Sequence, residues 1–175
     1  RGAGTAAMQG TTSVTAVGGL ATFANLSYNK AETITINFSG SSLPVVTSSP
    51  VTVTAAAGAR LTIQTQPAAV IAGVPFAPQP VIRVEDSFGN LRTSDNATVI
   101  TATRSAGNGT LQGITNLTAS GGVVTFTNLA HNTATNITIA FTSGGLAGTT
   151  SSVVGISPAA LAKLQLLVPG ETASP

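Results

Sequence analysis

The first residues that could do chemistry are acidic and amide side chains in the middle of the chain. They are Glu85, Asp86, Asp95 and Asn96. Carboxylate and amide oxygens are ligands that Ca²⁺ prefers, but it needs about six to eight of them. No loop here has the D-x-D spacing that supplies such a set. Calcium therefore remains a candidate, no other cofactor is predicted, and the favoured interpretation is that Asp86 accepts backbone N–H bonds in the turn at Gly89 and Asn90.

The chain contains few residues that could act as an acid, a base or a nucleophile in catalysis. His131 is the only histidine, and there is no cysteine. Glu85 and Asp86 are adjacent, so on a strand they point to opposite faces and cannot act as a facing carboxylate pair. Because catalytic triads depend on a positioned base, we expect His131 to be a partly exposed aromatic residue beside a loop. The sequence predicts no enzyme.

The composition also argues against two further kinds of protein, nucleic-acid-binding proteins and proteins with a membrane span. Charged residues make up 7% of the 175 residues, and the formal net charge is only +2. The five arginines and two lysines are scattered with no basic run, so no nucleic-acid partner is predicted. No apolar run reaches the roughly 18 residues that a membrane span needs, so none is expected.

The chain repeats itself. Arg1 aligns with Arg104, and at the same spacing TFANL from Thr22 aligns with TFTNL from Thr125. Further on, TITINF from Thr33 aligns with NITIAF from Asn136. A long register without insertions indicates tandem structural units. We therefore divide the chain into residues 1–57, the C-terminal part of one repeat or a half-domain completed by another chain; residues 58–160, a complete repeat; and residues 161–175, the first strand of a following one.

Apolar and polar side chains alternate along these units, and this pattern predicts β-strands. Ile137, Ile139 and Phe141 fall on one face of their segment, as Ile34, Ile36 and Phe38 do in the earlier copy. Glycine-rich turns separate the apolar runs. The predicted strands are Thr33–Ser39, Arg60–Thr65, Pro80–Glu85, Val99–Thr103, Gly122–Thr127, Asn136–Thr142 and Ser151–Ile156. About seven short strands per 100 residues predict an all-β fold of tandem immunoglobulin-like β-sandwiches.

Three motifs extend this interpretation: Thr65-Gln66-Pro67, the segment Val84–Asn90 that reads VEDSFGN, and the segment Gly109–Leu129. Together they resemble the tandem bacterial Ig-like repeats of large secreted and cell-surface, adhesin-like proteins. The resemblance implies an extracellular or cell-surface location and a non-catalytic stalk, adhesin or filament module. The implied partners are neighbouring Ig-like repeats or identical subunits in a fibre, and surface glycans or a host or cell surface.

Two alternatives remain open. In the first, the chain is a fibre subunit whose C-terminal strand pairs with the half-domain of another chain. The strand-exchange residues would be Leu161, Leu164, Leu166 and Val168, although about thirty residues of the sandwich would still be missing. In the second, the chain is a carbohydrate-binding module. Such modules present exposed aromatic platforms, and here the residue available is Tyr28, since there is one Tyr and no Trp.

Overall fold

The computed structural model describes residues 1–162, 166–170 and 172. Within these residues the chain forms fifteen β-strands. No helix in this part of the chain is long and apolar enough to cross a membrane. The strands are β1 (Thr33–Ile34), β2 (Asn37–Gly40), β3 (Leu43–Thr47), β4 (Val51–Thr52), β5 (Arg60–Thr65), β6 (Val70–Ile71), β7 (Val81–Glu85), β8 (Val99–Ala106), β9 (Leu111–Gln112), β10 (Asn116–Thr118), β11 (Val123–Thr125), β12 (Ala130–His131), β13 (Asn136–Thr142), β14 (Thr149–Thr150) and β15 (Val154–Ser157).

Residues 58–160, here called the central unit, contain two main sheets. The first has the order β11-β7-β5, with β7 antiparallel to both neighbours. The second has the order β10-β8-β13-β15-β6, and β14 also pairs with β13. Its pairs are antiparallel except β15 with β6, which is parallel. The all-β expectation is confirmed, and several sheets sharing one core are compatible with a β-sandwich.

The core of the central unit lies where the predicted alternation placed it. Ile82 and Val84 of β7 are fully buried, and so are Ile139 and Phe141 of β13. These side chains belong to one buried apolar cluster with residues of both sheets. Burying an aliphatic or aromatic side chain of this size contributes about 1.5–3 kcal/mol, so the alternating positions hold the two sheets together.

Residues 1–57, here called the N-terminal segment, form two small antiparallel pairs, β1 with β4 and β2 with β3. The predicted strand Thr33–Ser39 is therefore divided between β1 and β2. Ile34 is buried as expected, whereas Phe38 is 37% exposed and its counterpart Phe141 is 0% exposed. The difference follows from packing, because Phe141 lies in the apolar cluster between the sheets of the central unit, whereas β2 and β3 form a two-stranded sheet of their own.

The same contacts recur in the two stretches at a spacing of 103 residues. Asn25 and Asn128 each accept a backbone N–H through Oδ1, and Ser48 and Ser151 each do so through Oγ. The matching pairs are Thr11 N–Asn25 Oδ1 (2.9 Å) and Ile114 N–Asn128 Oδ1 (2.9 Å), Ile36 N–Ser48 Oγ (2.9 Å) and Ile139 N–Ser151 Oγ (2.9 Å), and the ring pairs Phe23–Phe38 (5.5 Å) and Phe126–Phe141 (5.6 Å).

One glycine in each stretch shows why its residue type is needed. Gly10 and Gly113 have φ angles of 88° and 92°. A Cβ atom at either position would lie 2.1 Å from a backbone carbonyl oxygen, that of Asn25 or of Asn128. Only glycine fits a left-handed conformation with such a close backbone approach, so both stretches place the same turn against the same neighbour.

Candidate functional site

The candidate site is the turn that follows β7, from Asp86 to Asn90. It is closed by a hydrogen bond from the Asp86 N–H to the Asn90 carbonyl (3.0 Å). The Asp86 side chain caps it from inside, since Oδ1 accepts the N–H groups of Phe88 and Asn90, each at 2.9 Å. Gly89 has a φ angle of 89°, which favours glycine. The turn hydrogen bonds predicted for Asp86 are thus confirmed.

The turn also binds the N-terminal segment through Asn90. The Oδ1 atom of Asn90 accepts the Ala31 N–H at 2.9 Å, and its Nδ2 atom donates to the Asn29 carbonyl at 2.8 Å. The same Nδ2 atom donates to Asp86 Oδ2 at 2.9 Å. One amide side chain therefore connects a turn of the central unit to two backbone groups more than fifty residues earlier in the sequence.

Asp86 provides a third connection to the earlier residues. Its Oδ2 atom accepts the N–H of Ala56 at 2.9 Å, and Ala56 lies between β4 and β5. The connection between the two stretches is thereby bound to the turn as well. We call these three backbone groups, the Asn29 carbonyl and the N–H groups of Ala31 and Ala56, the receptor site.

The hydrogen bonds stabilise the ionised form of Asp86. The side chain is 0% exposed, and burial raises the pKa of a carboxyl group. Hydrogen bonds outweigh this effect, first that from the Asn90 side chain and then those from backbone N–H groups, and lower the pKa of Asp86 from 3.8 to about 2. The buried carboxylate is therefore charged at neutral pH, and the turn around it supplies the compensating donors.

The other acidic candidates have partners of their own. Glu85 lies near two guanidinium groups, with Arg60 Nη2 at 3.3 Å and Arg83 Nε at 3.5 Å. Asp95 accepts the N–H of Thr98 at 2.9 Å and its hydroxyl at 2.7 Å. Burial opposes ionisation of Asp95, and these bonds nevertheless lower its pKa.

The acidic candidates do not form one site. Asn96 accepts the Gly121 N–H at 2.8 Å. Within the described ranges, no group of three or more His, Cys, Asp or Glu side chains is placed to hold a metal ion. Calcium binding by Glu85, Asp86 and Asp95 stays a prediction with no shared geometry behind it.

His131 is buried, and the expectation of partial exposure is wrong. Its ring is 0% exposed, and Nδ1 lies 3.0 Å from the Thr133 carbonyl and 3.3 Å from the Thr133 N–H. A Cβ atom on Gly109 would lie 2.9 Å from ring atoms Cε1 and Nε2. The ring is buried because Gly109 in the adjacent turn has no side chain to keep the turn away from it. Gly109 is visible in the sequence, but the alternation of side chains does not show that it lies against His131. Among the described residues, Nε2 has no hydrogen-bond partner.

Tyr28 stands at the equivalent place in the N-terminal segment and is half-buried. Its hydroxyl accepts the Ala6 N–H at 2.6 Å and donates to the Glu32 carboxylate. The Tyr28 hydroxyl first, and the Thr5 N–H next, lower the pKa of Glu32 from 4.5 to about 2. The Tyr28 hydroxyl is thus engaged within the chain and its ring is only half-exposed, whereas an aromatic platform for sugars presents an exposed ring face.

The candidate residues for strand exchange lie at the C-terminal end. Leu161 and Leu166 are 93% and 89% exposed, and Val168 is 53% exposed. None of these three belongs to a strand in the described residues. Leu164 lies outside the described residues. No step of strand exchange is tested by this arrangement.

A cleft of about 740 Å³ lies beside the Asp86–Asn90 turn and separates parts of the two stretches. Lys30, Glu32 and Thr52 line it on one side, and Arg83 and Asn90 on the other. No family model matches the chain, and no curated protein matches it.

Sequence analysis identified the turn but not its second role. The pattern D-x-x-G-N indicates a closed turn with an Asp cap. It does not say that the Asn90 side chain also binds Asn29 and Ala31. The available signal was the 103-residue spacing, which places the end of one stretch immediately before the beginning of the next.

Proposed function

We propose that this chain is a non-catalytic structural module of an extracellular tandem array of Ig-like domains, acting as a stalk, adhesin or filament building block. The observation that carries the proposal is the receptor site. The Asp86–Asn90 turn of the central unit holds three backbone groups of the preceding stretch at 2.8–2.9 Å. A joint made of three hydrogen bonds, two of them half-buried and one exposed, restricts rotation between units, which a spacer requires.

The strand order supports the Ig-like part of the proposal. Seven-stranded Ig sandwiches pack two antiparallel sheets with Greek-key connections. The central unit has β5, β7 and β11 in one sheet and β8, β13 and β15 in the other. This is the division that the first, second and fifth strands and the third, sixth and seventh strands take in that fold, whereas β10, at the place of the fourth strand, pairs with β8 in the second sheet.

The recurring contacts support the tandem part. Three contacts inside the N-terminal segment recur inside the central unit at a spacing of 103 residues. In repeat proteins each unit contacts mainly its neighbours, so length is gained by adding units. The low share of charged residues, 7%, suits a mechanical role better than a chemical one.

Labelling of intact cells tests the proposed location. An antibody raised against the full chain is expected to label intact cells of the source organism, and mild external protease treatment is expected to remove the signal. An antibody to a cytoplasmic protein serves as the control for intact envelopes. Labelling that appears only after permeabilisation would contradict the proposal.

A further inference from the structure

The receptor site has a second copy at the far end of the central unit. At the 103-residue spacing, Asn29, Ala31 and Ala56 correspond to Asn132, Ala134 and Ala159, with the same residue type at each position. Asn132, Ala134 and Ala159 are all exposed. The three backbone groups that bind the turn at the first joint thus recur at three exposed residues of the central unit.

The backbone around the second copy follows the first. The pair Thr33–Thr52 corresponds to the pair Asn136–Gly155 in antiparallel register. Bends occur at Lys30 and Glu32 in the first copy and at the corresponding positions 133 and 135 in the second. The N–H of Val53 donates to the Glu32 carbonyl at 3.0 Å, and the N–H of Ile156 donates to the Thr135 carbonyl at 3.0 Å.

The chemistry of the first joint identifies the group that would bind. An Asn side chain donates to one carbonyl and accepts the N–H two residues later, and an Asp side chain in the same turn accepts a third N–H. All three receiving groups belong to the backbone. Recognition therefore requires an Asp-x-x-Gly-Asn turn on one side and this backbone conformation on the other, with no particular side chain on the receiving residues.

We propose that the Asn132 carbonyl and the N–H groups of Ala134 and Ala159 form a second receptor site, which binds the Asp-x-x-Gly-Asn turn of a following unit. The inference rests on the proposed function, since it assumes a further unit of the same kind. The occupant is a unit joined through Ala159 and Ala160, as the central unit is joined through Ala56. A second copy of this chain is disfavoured, because its own turn already holds Asn29, Ala31 and Ala56.

Amide hydrogen exchange in an extended chain tests this proposal. The extended chain consists of residues 1–160 followed directly by a second copy of residues 58–162. The second copy places another Asp86–Asn90 turn 103 residues after the first. We expect the amides of Ala134 and Ala159 to exchange at least about tenfold more slowly than in the 175-residue chain, since a hydrogen bond in a docked joint protects its N–H.

Two variants of the appended unit provide the matched comparison. Asn90→Ala removes the amide side chain and is expected to return the Ala134 exchange rate to that of the unextended chain. Ser87→Ala alters an exposed residue of the same turn and is expected to leave the protection intact. The amide of Ile139, which donates to the buried Ser151 hydroxyl, reports in each variant that the receiving unit is folded.

Three results would overturn the proposal. Unchanged exchange at Ala134 in the extended chain, with Ala31 still protected in the same molecule, would reject the second site and leave the first joint and the proposed function standing. Protection of Ala134 in the unextended chain that grows with protein concentration would show that a second copy is the occupant. Rapid exchange at Ala31 in the unmodified chain would remove the first joint, and with it both proposals.

Discussion

At the scale of single residues, Asp86 combines two tasks that usually belong to different side chains. One carboxylate oxygen caps its own turn, and the other binds the N–H of Ala56 in the connection to the preceding stretch. Asn90 adds the contacts to Asn29 and Ala31. A charged group that is buried survives only where hydrogen bonds replace water, and here four donors do so.

The substitution Asp86→Asn is expected to destabilise the chain by about 1–3 kcal/mol at pH 7. The reason is that an amide NH₂ group would face N–H donors and leave them without an acceptor. Urea unfolding followed by circular dichroism measures the loss. Ser87→Ala, an exposed change in the same turn, is the control and should leave the free energy of unfolding nearly unchanged.

The same variant carries a pH signature. The pKa of Asp86 is about 2 in the folded chain and 3.8 as its ordinary value, so its stabilising effect is complete above about pH 5 and is lost as the pH falls through 3.8 toward 2. The variant lacks this contribution, and the stability difference between the two proteins should shrink over that range. A difference that stays constant down to pH 2 would contradict this account. Lowered pKa values at Glu32 and Asp95 leave both proteins with some acid sensitivity.

At the scale of elements, identical patterns produce different burial. The strand β13 is paired with β8, and its Phe141 is fully buried. In the N-terminal segment the matching strand is β2, which forms a two-stranded sheet with β3, and its Phe38 is partly exposed. Alternation specifies which side chains share a face, whereas burial depends on whether a second layer of the fold packs on that face.

We expect this difference to appear in a matched pair of substitutions. Phe141→Ala should cost about 3–5 kcal/mol, because it leaves a cavity in a closed core. Phe38→Ala should cost about 1 kcal/mol or less, since water already reaches the ring. Urea unfolding followed by the NMR signals of each stretch compares the two. Equal costs would show that Phe38 is as buried as Phe141 in solution.

Sequence patterns predicted the presence of strands in the central unit more reliably than the residues at which the strands begin and end. Arg60–Thr65 agrees with β5 at both ends, and β7 begins one residue after the predicted Pro80. The predicted strand Ser151–Ile156 instead begins at Val154, because the Ser151 side chain binds the backbone N–H of Ile139 and interrupts the ladder. Such side-chain bonds compete with strand pairing and leave no trace in the period of two.

The candidate site was partly predictable for a similar reason. The Asp86 cap follows from local turn chemistry, which acts over four residues. The contact of Asn90 with Asn29 joins residues 61 positions apart, and a turn motif holds no information about a distant partner. The burial of His131 was missed because it depends on the missing side chain of Gly109 above the ring.

At the scale of the whole molecule, the joint determines whether the two stretches keep one relative orientation or rotate independently. Spin labels at Ser13→Cys and Ser105→Cys, both exposed positions in a chain without cysteine, allow the distance across the joint to be measured by electron resonance. We expect a narrow distance distribution in this background and a broader one after Asn90→Ala, which removes two hydrogen bonds to the N-terminal segment.

Ser87→Ala in the same labelled background provides the control for the distance measurement. It should keep the narrow distribution, because Ser87 is exposed and the contacts to the N-terminal segment come from Asp86 and Asn90. A distribution that is equally narrow with Asn90→Ala would assign the rigidity to the short connection at Ala56 instead of the amide bonds.

The receptor site consists of main-chain groups, and this has an evolutionary consequence. The amino acids on the receiving end can change without loss of the groups that Asn90 recognises, provided that the local conformation is kept. Gene duplication, deletion or shuffling of whole copies would then create workable junctions at once, with no compensating mutation. In the proposed array, the number of copies could therefore change while the stiffness of each junction is kept.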